Sequence, residues 1–457
     1  MAVKNLGGNF SESSGLGTQL GILYTDRRDF YIRPNVTKEL WKTEAPFVTD
    51  LVSKGSIKVP DPDFKMFEHR AGWTNQQFVV NGVTTPFDTY VPGDLAVLTG
   101  IDGIKGLSST VDSSYIGLVV EVWNSDKSTY KGISLITAVV AGGAVTLKSL
   151  GNPRSTANTH SALADNDICF VIGNAWGEET SAPDAFADEI EVVYNSAQIF
   201  KTAVNITGTL AEATSLRGYN SELARLRADK AKEHKIQVNK ALLLGVRTHG
   251  TGMTDLAGDN TFTDGFATHI TDANGKLVRT TMGIIPAIYK YGANTGDFKN
   301  IFTIGAVSYD YAAFVEDSEY LFQYGNGGGV KTAYCGMGAL SYWSKLSSTG
   351  FYGNSGVSVS LSDWSLNKAG FNVKYLETPH GMLELKYEPA LRGQYRNSMV
   401  IVDPSNVDHC IYRPHKFMTN IKTDNAYDGI KDMYFSDEGI GIQLIESHAI
   451  MNVVDGQ

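Results

Sequence analysis

The 457-residue sequence has only three cysteines, and this scarcity argues against the covalent and metal-based supports common in small domains. Cys169, Cys335 and Cys410 are far apart, and none belongs to a CxxC pair. An odd number of isolated cysteines supports neither a disulfide framework nor a zinc ribbon. A reducing, intracellular place of synthesis is the simplest interpretation, and we predict no metal site.

Long apolar runs are missing as well. The longest uncharged apolar stretch covers residues 132–147, and Gly142 and Gly143 divide it. Such a stretch is too short to span a bilayer and is typical of two strands joined by a glycine turn. The first 15 residues lack the apolar segment of a secretory signal. The sequence therefore predicts no membrane association.

Charge is scarce, and positive charge especially so. Charged residues make up 19% of the chain, with 39 Lys and Arg against 49 Asp and Glu, a net charge of −10. This balance argues against a general nucleic-acid-binding protein, which needs a basic surface. Low charge together with 47 Gly, 22 Tyr and 20 Phe has two interpretations. The chain is rich in strands and turns, or partner molecules cover much of its surface.

Motifs for catalysis or phosphate binding are not found. In the glycine-rich run 325–332, Val330 stands where a P-loop needs glycine before the lysine. The segment 353–357 fails as a GxSxG nucleophile elbow because Gly356 comes one place early. No HExxH zinc motif occurs. We therefore predict a non-enzyme with no catalytic residue and no cofactor.

Other polar groups have ordinary structural interpretations. Paired carboxylates are common on protein surfaces, and an isolated histidine in a β segment is usually a turn residue or a hydrogen-bonded core residue. The groups considered are Asp61 with Asp63, Asp165 with Asp167, Glu178 with Glu179, His380 and His448.

Residues 83–186 have the pattern of an all-β domain. Short segments rich in β-branched and aromatic residues are separated by turn residues, which predicts a small barrel or sandwich. This block has eleven acidic and five basic residues. Extended patterns precede it (63–82) and follow it (187–212), so we predict a long hairpin with a domain inserted at its tip. The segments are LAVL, YIGLVVEVW, ISLITAVV, AVTLKSL and ICFVIG.

Residues 214–247 have the strongest helical periodicity in the chain. The stripe repeating every three to four residues is polar in its middle, so the helix cannot be wholly buried. This segment has eight basic and three acidic residues, opposite in sign to the β-rich block. A second helix is predicted over 308–324, followed by a hairpin around 378–381 and a strand over 399–402 that is buried on both faces.

The first 62 residues read as an arm rather than a domain, because their few apolar anchors have little to pack against. Three arginines lie among aromatic residues in this segment. Either they belong to a solvated loop, or the arm lies on a neighbouring subunit. The residues that we single out here are Arg27, Arg28, Arg33 and Trp41.

The order of arm, long hairpin, long helix and late strands resembles the major capsid proteins of tailed bacteriophages, which have the Hong Kong 97 capsid fold. The resemblance is carried by APFVTDLVSKGS with DFKMFEHRAGW, by YNSAQIFKTAVNITGTL leading to NKALLLG, and by MVIVDP and IGIQLIESHAI. It implies an α+β chain that assembles into the icosahedral head enclosing the genome. Similar proteins carry a β-rich insertion in their extended hairpin, which is called the E-loop.

The resemblance also implies a division of the chain into named parts. The segments are an N-terminal arm (1–62), an E-loop stem (63–82 and 187–210), an insertion domain (83–186), a peripheral or P-domain with its spine helix (211–290), a mostly axial or A-domain region (291–420), and C-terminal strands returning to this core (421–457).

Contacts between subunits follow as expectations from the same resemblance. The candidates are Arg27, Arg28, Arg33, Trp41, Phe64, Trp73, Arg225, Arg227 and Lys230. The basic helix and the acidic insertion could meet between copies, which would favour specificity and register. On this hypothesis, reversing Arg225 and Arg227 to Glu impairs assembly and leaves the monomer folded.

The expected partners are copies of the chain in hexamers and pentamers, a portal protein and a possible decoration protein. DNA is enclosed without sequence-specific binding, and the location is the virion, after synthesis and assembly in the cytoplasm of a bacterial host. Because the stem begins near residue 63, we expect a separate scaffolding protein and little or no cleavage. The alternatives left open are a phage fibre or surface adhesin whose β domain binds host glycans, and an enzyme with a non-local active site.

Overall fold

A computed structural model describes most of the chain. The described residues are 44–70, 75–140, 143–184, 190–212, 222–248, 271–276, 278–294, 298–305, 309, 311–324, 329–343, 365–366, 372–421 and 428–454. They form two compact units. The first contains the described residues of 1–62, 196–440 and 446–457, and the second those of 63–195 and 441–445.

Helices and strands alternate irregularly along the chain, as expected for an α+β protein. The helices are α1 (Pro46–Lys54), α2 (Gly208–Ala211), α3 (Glu222–Leu244), α4 (Ile284–Tyr291) and α5 (Tyr311–Gln323). The first ten strands are β1 (Ser56–Lys58), β2 (Asp63–Glu68), β3 (Gln77–Thr85), β4 (Leu95–Lys105), β5 (Leu118–Trp123), β6 (Tyr130–Val139), β7 (Val145–Gly151), β8 (Ile168–Asn174), β9 (Glu191–Ser196) and β10 (Gln198–Thr207). The others are β11 (Ile301–Gly305), β12 (Val330–Cys335), β13 (Ser365–Leu366), β14 (Asn372–Glu377), β15 (Met382–Tyr387), β16 (Ser398–Val402), β17 (Val407–Met418), β18 (Gly429–Ile442) and β19 (Ala449–Val454).

The second unit is built around a closed antiparallel barrel with strand order β3-β4-β7-β6-β5-β8. Alternate residues of each strand face inward, as in the buried-then-exposed pattern of β7. Of the two architectures predicted here, a barrel or a sandwich, the structure has the barrel. The boundary predicted at residue 83 falls inside β3, which pairs with β4 and β8 from Gln77 onward. Its core contains Phe78, Val80, Ala96, Leu98, Tyr115, Val120, Val122, Ile136, Val145, Leu147 and Cys169.

Strands β2 and β9 form a separate two-stranded sheet in this unit. The predicted stem segment 187–210 therefore divides in two. β9 pairs with β2, whereas β10 pairs with β18 in the first unit. The cause is the pattern of β10, whose residues Phe200, Thr202, Val204 and Ile206 are all buried and require a covered sheet face.

A four-stranded sheet with order β1-β17-β18-β10 lies in the first unit. Helix α3 covers the buried face of β10, where Thr202 contacts His234 of the helix. The buried residues of α3 lie in its second half, at His234, Val238, Asn239, Leu242 and Leu243. No residue of its first half is buried, which agrees with the prediction that this helix is not wholly buried, although His234 of the polar stripe is itself buried. The helix was predicted over 214–247; it is described from Glu222, and residues 213–221 lie outside the described part.

A seven-stranded mixed sheet with order β11-β19-β16-β12-β15-β14-β13 forms the other core of this unit. All five residues of β16 are buried, which confirms the strand predicted at 399–402. The hairpin predicted around 378–381 joins β14 and β15. The two C-terminal strands separate, since β18 joins the four-stranded sheet and β19 pairs with β11 and β16.

Helix α1 shows that the end of the predicted arm is part of the folded unit. Phe47 and Leu51 of this helix are buried. Its free N-terminal amides are capped from far away, because the Glu388 carboxylate accepts from the Phe47 N–H (3.2 Å) and the Asn239 side chain accepts from the Val48 N–H (3.1 Å). Residues 46–54 are thus fixed to the core of their own chain.

Helix α5 occupies the second predicted helical segment. Phe314, Ser318 and Leu321 of the expected stripe are buried. Ser308, the expected N-cap, lies outside the described residues.

Candidate assembly surfaces

Arg225 lies on the first half of α3, where no side chain is buried. Its guanidinium is hydrogen-bonded to Glu222 one turn before it and to Asp229 one turn after it (2.8 Å). These hydrogen bonds, opposed in part by desolvation, raise the pKa of Arg225. The predicted contact residue is therefore at the surface, but two neighbouring carboxylates already neutralise its charge.

Arg227 has a different role from the one predicted. Its Nε and Nη2 atoms lie 2.8 and 2.7 Å from Oδ2 of Asp432, a β18 carboxylate with no solvent exposure. Its guanidinium also stacks over the Phe417 ring, at 5.4 Å from the centroid. Arg227 thus ties α3 to the sheet. Reversal to Glu would place two carboxylates together, so we now expect Arg227→Glu to destabilise the monomer as well.

Lys230 remains a surface residue, paired with Glu233 one turn along the helix (2.6 Å). Nearer the end of α3, Lys235 donates to the Thr49 hydroxyl (2.8 Å), and Lys240 is exposed. The exposed positive charge of α3 is therefore smaller than its composition indicates. Among the three predicted basic residues, Lys230 is the one whose charge is least engaged with the core.

Phe64 is buried, with 7% of its surface exposed, and this corrects its prediction as a contact residue. The exposed aromatic residue of β2 is Phe67, at 65%. Because successive side chains of a strand alternate between its faces, only one of two aromatics three positions apart can be buried in this way. The spacing of Phe64 and Phe67 in the sequence indicated that they lie on opposite faces, but it did not show which of the two is exposed.

Two further apolar residues are exposed, Val192 in β9 and Ile190 directly before it. Ile190 and Val192 are 60% and 45% exposed. Two-stranded sheets have marginal stability on their own, and apolar residues exposed on them mark interaction surfaces when they form a patch. We call Phe67, Ile190 and Val192 the ribbon residues. Sequence reasoning missed Ile190 and Val192.

The barrel keeps its negative charge because most of its acidic groups bond to neutral donors. Asp94, Asp112 and Asp126 accept from side-chain hydroxyls and backbone amides of Thr89, Ser114 and Ser128 in local turns. These hydrogen bonds lower the pKa of each carboxyl, so that all three are ionised at neutral pH. Asp167 is an exception, since it is buried and paired with Lys131 (2.6 Å).

The remaining predicted contact residues cannot be compared with the structure. Arg27, Arg28, Arg33, Trp41 and Trp73 lie outside the described residues.

The groups examined for chemistry are structural where they are described. Lys331 of the glycine-rich run is buried, and its ammonium donates to the carbonyls of Leu321, Tyr324 and Ser447 at 2.5–2.9 Å. Burial lowers the pKa of Lys331 to about 8. His448 is a buried core residue whose Nδ1 accepts from the Asp403 N–H (3.1 Å), as predicted. A phosphate could not reach Lys331 in this position.

Neither a metal-binding cluster nor a membrane-spanning helix is present among the described residues. No cluster of three or more His, Cys, Asp or Glu side chains in these ranges is arranged to hold a metal ion. None of the described helices is long and apolar enough to cross a bilayer.

The sequence matches the family model of the SU10 major capsid protein over residues 25–451. This match extends across both units and nearly the whole chain. The chain belongs to this family. It is a bacteriophage major capsid protein, a structural component of the virion shell that self-associates, and not an enzyme. The family assignment does not favour a fibre or adhesin.

Comparisons with individual proteins give either no match or low sequence identity. No curated protein sequence matches the chain. Similar solved structures include the capsid of cyanophage P-SCSP1u (7% identity, TM-score 0.37, 63% of this chain and 81% of that one) and the procapsid of satellite phage P4 with its size-determination protein (12%, 0.34, 72% and 91%). The holo-SrpI encapsulin complex from Synechococcus elongatus is also similar (7%, 0.35, 60% and 79%). At these identities and TM-scores, the similarities by themselves assign neither a fold nor a function.

Proposed function

We propose that this SU10-family capsid protein has the Hong Kong 97 arrangement and builds hexamers and pentamers of an icosahedral head. On this proposal, the β2–β9 sheet is the stem of the E-loop, and the β3–β8 barrel is a domain inserted at its tip. Helix α3 with the four-stranded sheet forms the P-domain. The seven-stranded sheet belongs mostly to the A-domain.

The observation that carries the proposal is the exposed apolar surface of the β2–β9 sheet. Phe67 of β2, Val192 of β9 and Ile190, which directly precedes β9, remain exposed within one chain. A two-stranded sheet needs further packing for stability. Burial of a side chain of this size contributes about 1.5–3 kcal/mol. A neighbouring copy that covers the ribbon residues supplies that packing, so association also stabilises the sheet.

Charge gives this association its register. The barrel presents ionised carboxylates such as Asp94, Asp112 and Asp126, whereas Lys230 and Lys240 lie on α3. Complementary surfaces of this kind increase the rate and specificity of association more than its affinity. The contact that we propose joins the barrel of one copy to α3 of another, and it should weaken with salt.

Self-assembly of the purified full-length chain tests the proposal. Phe67→Ser should reduce the yield of shells or rings, as seen by sedimentation and electron microscopy. Val140→Ser is the matched control, because Val140 is similarly exposed (63%) but directly follows barrel strand β6. Assembly of Phe67→Ser at the wild-type yield would contradict the role of the ribbon residues.

The other expected partners stay predictions. They are a separate scaffolding protein, a portal protein, a possible decoration protein, and the genome that is enclosed without sequence-specific contacts. Co-expression with candidate scaffolding and portal proteins, followed by particle purification, tests which of them the shell retains.

A further inference from the structure

A chain of hydrogen bonds, buried at its centre and exposed at its two ends, links α3 to all four strands of the four-stranded sheet. The Ser56 hydroxyl of β1 lies 2.8 Å from Nδ1 of His409 of β17, and Nε2 of that histidine lies 2.8 Å from Glu438 of β18. Ser436 of β18 then connects Glu438 (2.6 Å) to His234 of α3 (3.0 Å). We call this set the relay.

The relay continues from His234 to the last strand of the sheet. Nδ1 of His234 lies 3.0 Å from the Thr202 hydroxyl of β10, and that hydroxyl lies 3.2 Å from Oε1 of Gln237. The Gln237 amide is oriented by its own donation to Glu233 (3.1 Å). Both His234 and Thr202 are buried. Buried polar networks of this kind are stable when every donor has an acceptor.

The proton positions follow from the carboxylate acceptor Glu438, which lies between His409 and Ser436. Burial opposes ionisation of Glu438, but hydrogen bonds from His409 and Ser436 outweigh it and lower the pKa of this carboxyl, so it accepts the Ser436 proton. Ser436 can then only accept from His234, whose Nε2 must carry hydrogen. With His234 neutral, its Nδ1 accepts the proton of Thr202.

A second proton on His234 is accommodated by rotation of the Thr202 hydroxyl. Nδ1 becomes a donor to the Thr202 oxygen, and the Thr202 hydroxyl turns its proton to Oε1 of Gln237. No donor loses its acceptor, so the hydrogen-bonded chain is complete in both protonation states. A buried histidine without such an alternative acceptor would leave one donor unpaired on protonation, which destabilises the charged form.

We propose that the relay is a proton-binding site centred on His234, through which mild acid weakens the joint between α3 and the four-stranded sheet. The reason is that the hydrogen bonds survive protonation while a charge is added to a buried position. This site concerns the response of the folded chain to pH and does not depend on how copies assemble.

The charged groups around His234 set the direction of the effect. From β17, His415 faces it with ring centroids 5.1 Å apart, and His409 lies beyond Glu438. Strand β18 contributes Glu438, Tyr434 with its ring centroid 6.2 Å away, and Asp432, which is already paired with Arg227. The inward residues of β10 are Phe200, Thr202, Val204 and Ile206, which carry no charge. On α3 itself, Lys230 and Glu233 pair with each other.

Burial is the largest cause that lowers the pKa of His234, repulsion from His415 adds to it, and Glu438 opposes it. The folded state therefore binds this proton less readily than the unfolded chain, whose histidine has a pKa near 6.5. The stability contributed by neutral His234 is present above that pH and is lost as the pH falls below it.

Thermal unfolding of the full-length protein at pH 7.5 and 5.0, in one assembly state, tests the proposal. The loss of Tm on acidification should be smaller in His234→Gln than in wild type, by about 2 °C or more. His415→Gln removes a repelling group and should also reduce the loss. His380→Gln, an exposed turn histidine on the other sheet, should behave as wild type.

His415 is exposed, so its variant keeps the test decisive if His234→Gln does not fold. Equal losses of Tm in wild type, His234→Gln and His415→Gln would overturn the proposal. So would a loss in His380→Gln that is reduced as much as in the other two variants.

Discussion

Removal of the Arg227 side chain should destabilise the chain far more than removal of Arg225, although both lie on the half-exposed part of α3. Arg227→Ala leaves the Asp432 carboxylate buried without its cation. The Asp432 Oδ1 atom would still accept a hydrogen bond from the Asn420 N–H (2.7 Å). Removing one partner of a buried ion pair costs about 3–5 kcal/mol. One third of the Arg227 side chain is exposed, so solvent screening reduces our expectation to about 2–3 kcal/mol.

Arg225→Ala is the matched control for this prediction. It removes two exposed pairs within one helix, and each such pair contributes about 0.2–0.5 kcal/mol. Urea unfolding of the purified chain, followed by far-UV circular dichroism, measures both costs from the shift of the midpoint.

A double-mutant cycle isolates the pair itself. In the background of Asp432→Asn, the further cost of Arg227→Ala should fall to about 1 kcal/mol, because no buried charge is left unpaired. Equal costs for Arg225→Ala and Arg227→Ala, or a cost of Arg227→Ala that does not change in the Asp432→Asn background, would refute this reasoning.

Two further predictions concern the α1 cap and the barrel. Burial raises the pKa of Glu388, so its stabilising contribution declines as the pH rises through that pKa. Both carboxylate oxygens accept, Oε2 from the Phe47 N–H and Oε1 from the Asn239 amide and the Ala390 N–H. Glu388→Gln keeps only one acceptor oxygen, so in urea unfolding it should destabilise the chain, but by less than Glu388→Ala, which leaves all these donors unpaired at a cost of about 1–3 kcal/mol. Gly132→Ala should cost about 1–3 kcal/mol more than Gly173→Ala. Both glycines have φ near +150°, but a Cβ at Gly132 would lie 2.4 Å from His160, whereas a Cβ at Gly173 would meet no atom within 4 Å. Equal melting temperatures of the two variants would contradict this.

Several features of the fold could be predicted because they depend on local sequence pattern. The strands of the barrel alternate inward and outward residues, and β16 is apolar throughout, so each has a periodicity visible in a few residues. The polar middle of the α3 stripe likewise indicated a helix that is only partly covered. The family could also be inferred, because the order of such segments is itself a pattern.

Pairings between distant residues could not be predicted in this way. Arg227 contacts a carboxylate 205 residues later in the chain, and the Phe47 amide is capped by Glu388, 341 residues away. No local pattern separates Arg227 from Arg225, since both are arginines on one helix. The same limit applied to Phe64 and Phe67, whose exposure depends on what covers each face of β2.

The central claim is that the β2–β9 sheet completes its packing only on a neighbouring copy in the shell. Cryo-electron microscopy of particles assembled from the full-length chain tests this most directly. The account predicts density of an adjacent subunit within contact distance of Phe67, Ile190 and Val192. A shell in which these three side chains face solvent in every subunit would contradict it.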